Sequence, residues 1–171
     1  ADFGNSNAAF KLALCFEQGC GVVQDESRAI ELFRTAAERG NAHAMCNLGV
    51  CYQSGLCGVI RDEIAAVRWY ERGAALNDAA SVFNLGACYQ AGVGMPKDEA
   101  RAVHYFTRGA ELNDADSCCC LGFMFLMGTA GCAADERRAI SLLRQAASLQ
   151  HAQALFYLGN CALQGIDCRL P

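Results

Sequence analysis

Proline, tryptophan and long apolar runs are scarce in this sequence, and each scarcity narrows the class of protein. The 171 residues include only two prolines and one tryptophan. No stretch supplies the ~20 consecutive apolar residues that a membrane-spanning helix needs. Basic residues are also few, since 14 Lys and Arg stand against 18 Asp and Glu, spread evenly, for a net charge of −4. Without a basic stripe we expect neither a nucleic acid nor an anionic membrane surface as partner, and without a long apolar run we expect no membrane insertion.

Small and apolar residues are abundant instead. The sequence is 53% apolar and 19% charged, which is too apolar for a disordered chain. Its frequent Ala, Leu, Arg and Glu favour helices. The length suits one compact domain or one short array of repeats.

Self-similarity favours the array. Five segments align with one another: NAAFKLALCFEQG, HAMCNLGVCYQSG, ASVFNLGACYQAG, DSCCCLGFMFLMG and QALFYLGNCALQG. Each has a shared leucine, followed by Gly in four copies, and a further Gly seven residues later. The leucines are Leu12, Leu48, Leu85, Leu121 and Leu158, at spacings of 36, 37, 36 and 37 residues. This period is typical of helix-turn-helix repeats.

A second pattern lies between the copies. An Asp-Glu pair begins each interval, and Asp is a good N-cap while Glu suits the positive end of a helix. The four aspartates are Asp25, Asp62, Asp98 and Asp135. Each interval ends near Gly40, Asn77, Asn113 or Gln150, and Gly and Asn are the preferred left-handed residues after a helix. The interval therefore predicts a second helix.

Each unit is thus predicted to contain helix A, a Gly-containing loop and helix B. Neither helix has an apolar face wide enough to stand alone, so neighbouring units must stack. We predict an all-α solenoid, an α-α superhelix of nine helices. Helix A is expected over 6–18, 42–54, 79–91, 115–127 and 152–164, and helix B over 26–39, 63–76, 99–112 and 136–149.

These residues resemble the Sel1-like repeat, a relative of the tetratricopeptide repeat. The third unit fits its pattern best, through Ala79, Ser81, Leu85, Gly86, Tyr89, Gly92, Gly94, Asp98, Ala102, Gly109, Ala110 and Asn113. Tetratricopeptide units run 34 residues, whereas the spacing here is 36 or 37. The resemblance covers nearly the whole chain and implies a scaffold for protein–protein assembly without catalysis of its own.

The repeat frame predicts one array over 1–171. Repeats 1 to 4 are expected at 6–41, 42–78, 79–114 and 115–151, and 152–171 is expected to hold helix A and the loop of repeat 5. Residues 1–5 align with the tail of a preceding helix B. We expect a piece of a longer array that belongs to a larger assembly; the alternative is a natural C-terminus with an unpaired last helix.

Twelve cysteines require an interpretation. Cys15, Cys51, Cys88 and Cys161 share the position three residues after the leucine, and Met124 fills it in repeat 4, which indicates packing. Equivalent positions in stacked units lie ~9–10 Å apart, which exceeds the ~7 Å between Cα atoms that a disulfide can span. The resemblance implies that a secreted bacterial branch of the family joins helix A to helix B by a disulfide through a Cys near the end of helix B. Helix B has no Cys in any unit of this sequence.

We therefore expect free thiols and an intracellular, reducing compartment, with the cytoplasm first. A disulfide framework is the alternative. Four further cysteines fall in or near the loops between helices A and B: Cys20, Cys57, Cys132 and Cys168.

No residue pattern predicts a catalytic centre, a metal site or a cofactor. Cys118, Cys119 and Cys120 would point about 100° apart on a helix and could not share one ion. His43 and Cys46 lie one turn apart without a third ligand. Nucleophile-elbow, phosphate-loop and zinc-protease motifs are missing from the sequence. We predict no enzyme; a thiol-based redox or metal-binding element is the alternative function.

The groove is assigned by resemblance, because helix A lines the concave face of tetratricopeptide repeats. Carried over, this implies a ladder of amides, Asn47 and Asn84 with Gln53 and Gln90, which can pair with the backbone of an extended peptide. Repeat 4 replaces the ladder with an apolar patch that suits an aliphatic or aromatic anchor. The patch comprises Cys119, Cys120, Phe123, Leu126 and Met127; alternatively, these residues pack on a missing neighbour or a curled loop.

We predict a protein–protein interaction scaffold or adaptor that binds a protein or an extended peptide on this surface. An acidic tail is disfavoured, because only Lys11 is basic at the position before the leucine. The predicted partner-binding residues are Lys11, His43, Asn47, Gln53, Phe83, Asn84, Gln90, Cys120, Phe123 and Tyr157.

Overall fold

The computed structural model describes residues 3–166, with side chains from residue 5, and this part of the chain holds nine α-helices and no β-strand. The A helices are α1 (Phe3–Gln18), α3 (Ala42–Ser54), α5 (Ala79–Ala91), α7 (Ala115–Met127) and α9 (Ala152–Leu163). The B helices are α2 (Glu26–Glu38), α4 (Glu63–Ala75), α6 (Glu99–Glu111) and α8 (Glu136–Ser148). The predicted all-α solenoid is confirmed.

Eight of these helices agree with the predicted bounds within one residue at each end. The exception is α1, which begins at Phe3 instead of residue 6, so that residues 3–5 continue this helix. The rest of the predicted terminal segments, residues 1–2 and 167–171, lies outside the described residues.

The aspartates before the B helices act as predicted. Asp25, Asp62, Asp98 and Asp135 each accept a hydrogen bond from the backbone N–H three residues later. Such a cap satisfies one of the N–H groups that the first turn leaves unpaired. The predicted left-handed residues after the B helices are also confirmed at Gly40, Asn77 and Asn113, and Gln150 takes the same conformation.

The A helices carry caps that the sequence reasoning did not identify. Asn41, Asp78 and Asp114 accept from backbone N–H groups at the starts of α3, α5 and α7, and His151 does so at α9 through Nδ1. At the other end, α3, α5 and α7 stop at a glycine in the left-handed conformation. Both ends of each middle helix A are therefore set by local sequence.

The core lies between helices A and B of each repeat. The shared leucines Leu48, Leu85 and Leu121 are buried there, together with Tyr70 and Phe106 of the B helices. Each B helix also packs on the A helix that follows it. The buried residues form two adjoining clusters, one over α1–α3 and one over α3–α9.

Neighbouring A helices contact each other directly, α3 with α5 and α7 with α9. No two B helices in residues 3–166 have contacts as extensive. These A-helix contacts support the expectation that helix A lines the concave side, which is the face that solenoids commonly use for binding.

Candidate partner-binding surface

A pocket of about 210 Å³ opens on the concave side around α7, and we call it the α7 pocket. It draws residues from three successive A helices and from the loop after α7. Its lining comprises Gln90, Asp116, Cys119, Cys120, Phe123, Met124, Thr129, His151, Gln153 and Tyr157. Four of the ten predicted site residues, Gln90, Cys120, Phe123 and Tyr157, thus meet in one place.

Two aromatic rings form the apolar side of the α7 pocket. Phe123 and Tyr157 stack with centroids 5.0 Å apart and an interplanar angle of 29°. This stacked pair joins α7 to α9, and Phe123 keeps 36% of its surface exposed. Met127, one helical turn beyond Phe123, is 57% exposed. An incoming apolar side chain would find exposed ring and thioether surface here.

The polar rim of the pocket is built on His151. Its Nδ1 accepts the N–H of Ala154, so Nε2 carries the proton and donates to Asp116 Oδ1 at 3.0 Å. The side chain of Asp116 is 58% exposed. The rim therefore presents a carboxylate on α7 that is oriented by a hydrogen bond from the residue that caps α9.

The two thiols of the pocket contribute apolar surface. Cys119 is buried and Cys120 half-buried. The pKa of both thiols is raised to about 11, mainly by burial and to a lesser extent by nearby acidic groups that include the Asp116 carboxylate. Both are consequently neutral near pH 7 and have little thiolate character, which argues against a nucleophilic role.

The predicted amide ladder is partly engaged within the protein. Gln53 accepts a hydrogen bond from the Tyr70 hydroxyl at 2.8 Å. The Asn84 amide donates to Cys46 Sγ at 3.4 Å, and Asn47 is half-buried. Each of the two bonded amides keeps at least one donor free of these contacts.

The remaining predicted residues lie apart from the α7 pocket. Lys11 is exposed on α1. His43 is exposed and its Nδ1 lies 2.7 Å from the buried Asp78, which caps α5. Phe83 is half-buried against the core, with its ring centroid 5.8 Å from that of Phe106. The structure thus gives His43 and Phe83 contacts inside the fold.

Sequence reasoning missed one group of potential ligands. Glu17, Cys51 and Cys57 bring their side-chain ligand atoms within 4.8 Å of one another. No disulfide joins the cysteines in the described part of the chain, and Cys168 lies outside it. The signal in the sequence was Cys57, six residues after Cys51, in a loop one residue longer than that of repeat 3.

None of the nine helices in residues 3–166 combines the length and apolar character that crossing a membrane would require.

The fold and the concave surface define a helical-repeat scaffold, and the comparisons identify its family. The Sel1 repeat model matches five times, at residues 6–41, 42–78, 79–114, 115–151 and 152–170. The chain therefore belongs to the Sel1 repeat family.

Similar solved structures have the same fold. A Sel1 repeat protein from Oxalobacter formigenes is 32% identical, with a TM-score of 0.89 over 96% of this chain and 67% of that one. A protective antigen of uropathogenic Escherichia coli with an SLR fold is 25% identical, with a TM-score of 0.59 over 96% of this chain and 42% of that one.

An immunity protein from Pseudomonas aeruginosa is 23% identical, with a TM-score of 0.66 over 91% of this chain and 58% of that one, a likeness that shows the fold alone. A comparison with the curated proteins finds no match.

Proposed function

We propose that the chain is a protein-binding scaffold whose concave surface holds an extended segment of a partner, with one large apolar side chain in the α7 pocket. The observation that supports this most is the pocket itself, which combines an aromatic pair with neutral thiols on the concave side. The proposal assigns the chain no catalytic step.

The apolar anchor follows from the lining. Phe123 and Tyr157 offer ring surface, and Met124 and the two thiols offer polarisable sulfur, which contacts aromatic groups favourably. A pocket of about 210 Å³ suits one aliphatic or aromatic side chain. Removing that side chain from water supplies the main attraction.

The rim adds a preference for charge. The Asp116 carboxylate lies beside the pocket and remains partly exposed. A basic residue next to the anchor would complement it, and the net charge of −4 favours approach of a basic segment. The expected partner sequence therefore joins an apolar anchor to a neighbouring Lys or Arg.

The amides of α3 and α5 extend the surface beyond the pocket. Asn47 and Asn84 occupy the same position in repeats 2 and 3, and Gln90 at the end of α5 reaches the pocket lining. Amides both donate and accept, so they can pair with a peptide backbone whatever its side chains. They would hold the segment in an extended form while the pocket selects its anchor.

A random peptide library selected on the chain tests the proposal. We expect the selected peptides to share an apolar anchor beside a basic residue. Phe123→Ala with Tyr157→Ala should then weaken a selected peptide by about 2–4 kcal/mol, as anchor truncations do. Asn47→Ala with Asn84→Ala should cost about 1–3 kcal/mol, because two hydrogen-bonding sites are lost. Titration calorimetry gives both values.

Two B-helix residues provide the matched control. Arg68→Ala with Arg137→Ala removes exposed side chains from α4 and α8, away from the concave surface, and should leave affinity unchanged. Circular dichroism should show equal helicity in all three double variants. Peptides that bind the aromatic double variant normally but lose affinity for the arginine double variant would place the interface on the convex face and refute the proposal.

We also propose a compartment for the chain. A reducing, intracellular location is supported by the buried, protonated thiols and the lack of a disulfide within residues 3–166.

A further inference from the structure

Three side chains from separate segments converge at the junction of repeats 1 and 2. Cys51 lies in the last turn of α3, and Cys57 lies in the loop that follows. Their Sγ atoms are 3.3 Å apart and both residues are buried. Glu17, half-buried near the end of α1, places a carboxylate oxygen within 4.8 Å of both sulfurs.

The equivalent junction between repeats 3 and 4 shows that packing does not require these side chains. Repeats 2 and 4 both have the longer loop, and Cys57 and Ala130 take the same left-handed conformation, with φ of 57° at each. Met124 stands where Cys51 does, and Gln90 stands where Glu17 does. Repeat 4 thus builds this junction from residues that form no such ligand group.

The chemistry of the group matches a soft divalent cation. Two thiolates and one carboxylate are zinc ligands, and a water completes a tetrahedron in sites with three protein ligands. Two sulfurs at ~2.3 Å from zinc in a tetrahedron lie about 3.8 Å apart, only slightly farther than the 3.3 Å seen here. A small movement of the loop would suffice. A disulfide would use both thiols but give the Glu17 carboxylate no part.

We propose that Glu17, Cys51 and Cys57 form a zinc site that joins repeat 1 to repeat 2. Binding replaces the thiol protons with the metal and releases them to solvent. The site would hold the end of α1, the end of α3 and the following loop together. This inference is independent of the concave binding surface, because it concerns a different junction and different residues.

The test uses the reduced chain with Zn²⁺ and with Co²⁺ as probes. We expect one metal ion per chain by elemental analysis, a thiolate-to-cobalt charge-transfer band, and a rise in melting temperature on adding zinc. Cys51→Met with Cys57→Ala installs the residues of repeat 4, so it should fold and lose all three signals. Glu17→Gln, the residue found at Gln53 and Gln90, should weaken zinc by roughly tenfold or more.

A second pair of buried thiols controls for the many cysteines. Cys88→Met with Cys118→Ala removes two thiols elsewhere in the core and should leave zinc affinity and the cobalt band unchanged. The proposal is overturned if Cys51→Met with Cys57→Ala binds zinc as the parent chain does, or if Glu17→Gln changes nothing. It is also overturned if the reduced chain binds no metal, or if mass analysis of the chain purified without reductant finds Cys51 joined to Cys57 by a disulfide.

Discussion

Four repeats have a glycine directly after the shared leucine, and we expect its replacement by alanine to destabilise some repeats and stabilise another. The four positions are equivalent, but their surroundings differ. A Cβ on Gly49 would lie 2.3 Å from Tyr70 Cε1, and one on Gly86 would lie 2.9 Å from Phe106 Cε1. On Gly122 the nearest atom, Leu143 Cγ, is 3.0 Å away, whereas at Gly159 no described atom lies within 4 Å.

The magnitude depends on whether the neighbour can move. Tyr70 is completely buried and its hydroxyl is held by Gln53, so its ring cannot withdraw without breaking that contact. Overpacking of this kind costs about 1–3 kcal/mol, against a gain of about 1 kcal/mol from replacing Gly by Ala in a helix.

We expect Gly49→Ala to destabilise by about 2 kcal/mol and Gly86→Ala and Gly122→Ala by about 0–1 kcal/mol, which is the overpacking cost less the gain in helix propensity. Gly159→Ala should stabilise by up to about 1 kcal/mol.

Urea unfolding followed by circular dichroism measures the series. The slope of the free energy of unfolding against urea must stay constant, because a repeat array can lose its single cooperative transition. Thermal melts provide a second measure, at about 2–4 °C for each kcal/mol in a chain of this size. Equal destabilisation at Gly49 and Gly159 would show that helix propensity or local strain decides the outcome, and would refute the packing argument.

Two further predictions concern pH and capping. Burial raises the pKa of the Cys46, Cys88 and Cys118 thiols to about 11. The folded chain therefore holds these protons more tightly than the unfolded chain does. The contribution of the thiols to the free energy of unfolding should be fully present below about pH 8.5 and decrease from there to about pH 11. A melting temperature that is constant across that range would contradict this. Asp98→Ala should cost about 1 kcal/mol in urea unfolding while Asp98→Asn costs little, since Asn keeps the capping acceptor; equal losses would assign the effect to the carboxylate charge.

The sequence was sufficient for the helices because each boundary has a local cause. Asp62 begins α4 by accepting from Ala65, and Asn77 ends the same helix region by taking a positive φ. Both effects involve only residues close in sequence, and the repeat period then indicates that the helices stack. A capping histidine such as His151 was missed because it lies outside the usual set of capping residues.

The candidate site could be predicted only in part, because side-chain partners depend on the packing of separate segments. Four predicted residues meet in the α7 pocket, whereas Phe83 packs against Phe106 and Gln53 bonds to Tyr70. The repeat frame relates Cys51 only to its equivalents in other repeats, which lie too far apart to form a disulfide. Its actual neighbour is Cys57 of the same repeat, which the longer loop turns back toward α3.

The junction between successive A helices has different side chains in the two halves of the array. Between α1 and α3 it holds Glu17, Cys51 and Cys57, and between α5 and α7 it holds Gln90 and Met124 beside the α7 pocket. The stack itself depends on the buried leucines and the glycine and alanine contacts between helices A and B, which both halves share. The side chains at this location can therefore differ while the stack is kept, and the two proposals assign them a metal at one junction and a partner side chain at the other. For the same reason the two proposals are separable: installing the residues of repeat 4 at Cys51 and Cys57 leaves the α7 pocket intact, and truncating the aromatic pair leaves the three zinc ligands in place.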